Sequence, residues 1–220
     1  MPVAPLPFTP SLESGLSELS GASSAAMNVV IDSKGTVRRR PGILAYSGAP
    51  SSAIDSNPVL GLHRTLGGRL FAIAGSLPGE VKLYLVTASG STLLRTNTAS
   101  SRPVFAETEA MLAYADGRTI NRILFSDLSV ERLAGNPPTA SHVIAQGSRL
   151  LANDVATNQS QVQYSAPQQG SGSITGHETW NTAVTATGSS GFFSAEARPD
   201  PVVALGETTN EVFVFGETNL

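Results

Sequence analysis

One pattern recurs along the chain and restricts its folds more than any other feature. A Gly- or Asn-bearing turn is followed by a charged residue and a short run rich in apolar side chains. It reads GGRLFAI at residues 67–73, GSRLLAN at 147–153 and TNEVFVF at 209–215. Each is the turn and return strand of a β-hairpin. A second echo links INRILFSDLSVERL, residues 120–133, with SQVQYSAPQQG, residues 160–170. Degenerate repetition of strand–turn–strand units predicts radially stacked blades, although an antiparallel sandwich also alternates hairpins.

The hairpins can be placed from their turns. MNVVI and TVRRR flank the turn DSKG, residues 32–35. Residues 57–75 turn at Gly67-Gly68, residues 80–96 at Ser89-Gly90, and residues 110–125 at Asp116-Gly117. Strands follow in residues 141–154, 160–166 and 201–220. Composition agrees with short strands. Only 14% of residues are charged, and Gly, Pro, Ser and Thr fill the difference. Ordinary soluble domains carry roughly 25% charged residues. The expected fold is all-β, built of β-propeller-like blades of antiparallel hairpins over residues 27–220.

Residues 1–26 read differently. Prolines stand at 2, 5, 7 and 10. Leu12, Leu16 and Leu19 would suit a short helix capped by Ser11, but Gly15 opposes it. An extended, at most partly helical, N-terminal arm is the preferred reading.

About fifteen strands at four per blade fill fewer than four blades, whereas closed propellers usually have about four to eight. The propeller is therefore expected to be incomplete in this chain. An uncapped final strand would invite aggregation, so another chain or a longer product would supply the rest.

Fourteen basic against seventeen acidic residues give a net charge of -3, which argues against coating of nucleic acid by a dense positive field. Twelve of the fourteen are Arg, whose planar fork suits fixed interface contacts. With no cysteine, disulfides, thiolate metal sites and cysteine nucleophiles are excluded. No window approaches the ~18 apolar residues of a membrane span, and no charged start and apolar run mark a Sec signal.

Few residues suggest chemistry. Arg38, Arg39 and Arg40 stand before Pro41-Gly42. Strand alternation sends Arg38 and Arg40 to one face and Arg39 to the other, which favours an interface-pairing or solvated strand end over a phosphate-binding patch. His63, His142 and His177 lack the spacing of a helical metal site and read as surface or turn histidines. Glu107 and Glu109 would share one face of a strand, the minimum for glycoside hydrolysis, but seventeen acids offer many such pairs. No serine sits in a nucleophile elbow, and GSGSITG, residues 170–176, reads as a flexible insert. Trp180, the sole tryptophan, is expected to pack a blade edge.

Taken together, the Pro-rich leader, NVVIDSKGTVRRRPGI and the hairpins after it resemble the tail hub or nozzle proteins of short-tailed bacteriophages. This family is also described as packaged-DNA stabilisation or head-completion proteins. The resemblance lies in Arg39-Arg40-Pro41-Gly42 after an early strand, and in Val162, Tyr164-Ser165-Ala166 and a later Trp180. It spans roughly residues 27 to 215. The long Gln/Gly/Ser loop between Ala166 and Trp180, and the small number of blades, depart from the family pattern.

What the resemblance implies is a virion tail component without enzymatic activity or cofactor. Copies would form a ring, typically sixfold, below the portal and adaptor proteins, retaining and conducting DNA without reading its sequence. Arg38, Arg39 and Arg40 would then brace an adjoining subunit or fix the leader to the first blade. Two rivals stay open: a carbohydrate-binding propeller module, and a propeller glycosidase using Glu107. The first would need recurring exposed aromatics, and the chain has one Trp and four Tyr.

Overall fold

The computed structural model describes residues 29–31, 37–39, 57–87, 89–180, 190–194, 200–209 and 211–217. The expected arm at 1–26, and Arg40, Pro41 and Gly42, lie outside the described residues. Among those described there are sixteen strands and no helix. The fold is all-β, as read from the hairpin repeats.

The chain divides into two compact units, residues 1–47 and 48–220. In the first, β1 (Val29–Ile31) and β2 (Val37–Arg39) form a two-stranded antiparallel sheet. Val29 faces Arg39, Val30 faces Arg38 and Ile31 faces Val37.

The second unit holds successive antiparallel sheets, each made by consecutive strands. The first contains β3 (Val59–Arg64), β4 (Leu70–Gly75), β5 (Gly79–Thr87) and β6 (Gly90–Ala99). The next contains β7 (Val104–Glu107), β8 (Met111–Ala115), β9 (Ile120–Leu124) and β10 (Val130–Arg132). The third contains β11 (Val143–Gln146), β12 (Arg149–Asn153), β13 (Gln161–Tyr164) and β14 (Gly191–Ser194). A two-stranded sheet of β15 (Val202–Glu207) and β16 (Val212–Gly216) follows. β11, the first strand of the third sheet, touches both β7 and β15, the first strands of the sheets before and after it. The repeated GGRLFAI-type pattern therefore marks the turn into the second strand of its sheet: β4, β12 and β16.

Strand alternation explains how the sheets join, because each sheet sends alternate residues to opposite neighbours. In β8, Leu112 and Tyr114 pack with Phe71, Ile73, Val81 and Leu83 of the first sheet. Met111, Ala113 and Ala115 turn the other way, onto Val143, Leu150 and Ala152 of the third. Leu151 and Val162 in turn meet Val202 and Leu205 of the β15–β16 sheet. A strand buried on both faces reads as a continuous apolar run, and MLAYA is one.

Two buried carboxylates tie second strands to third strands. Past β8, Asp116 Oδ1 accepts the backbone N–H groups of Arg118 and Thr119 at 2.9 and 2.8 Å, and Oδ2 accepts Asn121 Nδ2 at 3.0 Å. Past β12, Asp154 accepts the N–H groups of Ala156 and Thr157, both at 3.0 Å, and Gln163 Nε2 at 3.1 Å. Such Asx turns satisfy donors that a tight connection otherwise leaves buried and unpaired.

Candidate functional site

A recess of about 670 Å³ opens where four hairpin turns and the loop after β13 converge. Leu66 and Gly67 come from the β3–β4 turn, and Glu107, Thr108 and Glu109 from the β7–β8 connection. Phe125, Ser148, Gln168 and His177 complete the polar and aromatic lining. Every contributing turn joins strands of packed sheets, so the recess follows directly from the sheet stacking.

Its two carboxylates are engaged in holding the turns. Glu107 ends β7 and accepts the backbone N–H of Leu66 through Oε1 at 2.9 Å. Its Oε2 lies 3.0 Å from His63 Nε2, and the His63 ring stacks on Phe105 at 5.5 Å. Glu109, expected on the same strand face, lies instead in the turn beyond β7. The short connection to Met111 ends β7 before that residue, with Thr108 N–H bonding Met111 O at 2.9 Å. Hydrogen bonds from Ser171 and, more weakly, Gln168 hold Glu109 below the usual carboxylate range. A general acid needs the opposite shift, so Glu109 is unsuited to that one role.

His177 stands in a turn, as one half of the reading of the histidines has it, but not at the surface. It is 1% exposed, and neither ring nitrogen has a hydrogen-bond partner among the described residues. Burial lowers its pKa, because the protonated ring would lose its hydration. No sequence signal announces this, since HETW reads as loop. His63 and His142 are partly buried.

The end of the GSGSITG stretch and the residues after it make defined contacts. Glu178 N–H bonds Ile174 O at 3.1 Å, and Thr179 N–H bonds Gly176 O at 3.0 Å. A Cβ on Gly176 would collide with the carbonyl of Pro167, so the loop closes tightly on itself there. Ile174 and Trp180 pack into the core between the second and third sheets, and Trp180 Nε1 donates to His177 O at 2.8 Å. Glu178 Oε1 lies 3.1 Å from Arg122 Nε, linking the loop to β9.

Tyr164 and Ser165 anchor the start of the same loop. Arg149 lies over the Tyr164 ring at 5.3 Å and donates from Nη1 to Ser165 O at 2.7 Å. Ser165 Oγ accepts Leu150 N–H at 3.0 Å. Ala166 N–H then bonds Thr179 O at 2.9 Å, which brings the two ends of the loop together. Tyr164, Ser165 and Trp180 thus belong to one structural clasp. Arg38 and Arg39 lie on β2, in the other unit, away from this constellation in sequence.

A second feature is an apolar sheet face. Val203, Phe213 and Phe215 of the β15–β16 sheet are 43%, 44% and 52% exposed. Among the described residues, β16 pairs only with β15. The first sheet likewise leaves Val59, Leu62 and Leu93 exposed. No cluster of three or more His, Asp or Glu suited to a metal ion occurs among the described residues.

The sequence matches no protein-family model and no curated protein.

Proposed function

We propose that the chain is a non-catalytic structural subunit of a bacteriophage tail hub or nozzle. Copies close a ring below portal and adaptor proteins, and the lumen retains and conducts DNA. The observation that carries this reading is the exposed apolar face of Val203, Phe213 and Phe215 beside β16, which among the described residues pairs on one side only. Apolar patches next to unpaired strand edges suit contact with another polypeptide. The Arg-Pro-Gly and Tyr-Ser…Trp motifs supply the phage resemblance, and the mildly acidic charge suits a wall along which a polyanion slides.

Sedimentation velocity and negative-stain imaging of the purified chain test the ring. The expected outcome is closed, ring-shaped oligomers. A monomer at every concentration tried overturns the reading. Charge reversal at Arg39 and Arg40 then separates two roles. An interface brace predicts loss of ring assembly, whereas a DNA grip predicts intact rings with a salt-sensitive DNA defect.

A second reading, carbohydrate binding, draws on the recess, whose lining includes Gln168, Ser148 and Glu109 as well as Phe125. Polar groups beside an aromatic face suit a sugar. Glycan-array binding lost in Gln168→Ala would favour it over the ring.

A further inference from the structure

The two hairpins that stand outside the four-stranded sheets are complementary halves. β15 lies where a first strand belongs, against β11, and β16 carries the second-strand pattern of β4 and β12. The β15–β16 sheet therefore has the first and second strands of the repeat but, among the described residues, no third or fourth.

The β1–β2 hairpin matches the other half. Residues 28–39, NVVIDSKGTVRR, align without a gap to residues 121–132, NRILFSDLSVER. Asn, Ser, Val and Arg coincide at 28/121, 33/126, 37/130 and 39/132. Val30, Ile31 and Thr36 stand opposite Ile123, Leu124 and Ser129. The second stretch spans β9 and β10, the third and fourth strands of their sheet. Pairing differs by one residue at the turn: Ile31 faces Val37, where Ile123 faces Val130. By sequence and strand order, β1–β2 is a third-and-fourth-strand hairpin without a first and second.

We propose that the β1–β2 hairpin of a second copy adds to the β16 edge, β1 lying antiparallel to β16, and completes a four-stranded sheet. β1–β2 and β15–β16 are each two-stranded sheets among the described residues, and joining them across copies, as the ring reading requires, gives each the neighbours that every other strand of its kind has. The contact is heterologous, head to tail, so repeated copies form a closed ring when the rotation permits. Edge addition supplies backbone hydrogen bonds, and the exposed Phe213 and Phe215 supply apolar area. Arg38 and Arg39 then occupy the outermost strand, where basic residues discourage further pairing. This inference rests on the ring reading and names the surfaces that build the ring.

The chain has no cysteine, so single thiols report cleanly. Val30→Cys and Val214→Cys chains are purified separately, mixed and treated with a short bifunctional thiol reagent. A cross-linked heterodimer is expected, absent when either variant is alone or when the mixture is diluted below the association range. Amides of residues 212–216 should also gain hydrogen-exchange protection as unmodified chain is concentrated. Cross-linking confined within one chain of the double variant overturns the assignment to a second copy. Oligomers without either cross-link overturn strand addition while the ring reading stands. Monomers without cross-link overturn both. Far-UV circular dichroism of each variant confirms that it is folded before the result is read.

Discussion

Asp116 and Asp154 show how single side chains hold this fold. Each is buried and receives backbone donors from the turn as well as an amide from the third strand. Asp116→Ala strands several buried donors at once and should destabilise the chain by about 3 kcal/mol, read from urea unfolding. Asp116→Asn, which keeps one acceptor oxygen, should lose less. Trp180→Ala removes the ring that fills the layer between the second and third sheets, a loss of about 3–5 kcal/mol in the same assay. His177 makes stability pH-dependent. Its unfolded form protonates near 6.5, while burial delays protonation in the folded chain to lower pH, and His142 is shifted the same way. The unfolded state thus binds more protons as pH falls through that window, so stability is full above it and declines below. The thermal midpoint should drop between about pH 7.5 and about pH 5.5, and His177→Phe should shrink that drop without abolishing it.

At the scale of strands, the residues that were readable are those whose turns have their own chemistry. Gly68, Gly117 and Gly147 take positive φ at turns, and the hairpins around them stand where Gly67-Gly68, Asp116-Gly117 and GSRLLAN placed them. β7 was harder to see. Four residues after a proline, bearing Glu107, offer too little alternation to separate strand from turn, and Glu109 lies past the end of that strand. β14 is only four residues long, GFFS, too short to show an alternating pattern. The recess was not legible, because its lining comes from turns far apart in sequence that only sheet stacking brings together. His177 is buried by tertiary packing in a segment whose composition reads as loop. Exposed residues on the final sheet allow a test at this same scale. Phe213→Asp with Phe215→Asp should leave the isolated chain within about 0.5 kcal/mol of its parent stability. Self-association should fall sharply, as measured by sedimentation velocity.

Three apolar layers of the second unit are each shared by two neighbouring sheets, and a fourth, of Ala72, Ala74, Tyr84 and Val86, belongs to the first sheet alone. Leu112 and Tyr114 belong to one layer while Met111 and Ala113 belong to the next, so neighbouring layers share strands but not side chains. That division lets stability vary along the stack. If the end sheet of Val202–Gly216 were gripped and pulled, the layer around Leu151, Val162 and Leu205 would give way before the ones behind it. A force–extension trace should therefore fall in successive teeth, and a molecule caught after the first tooth would still hold its β8 and β12 strands intact.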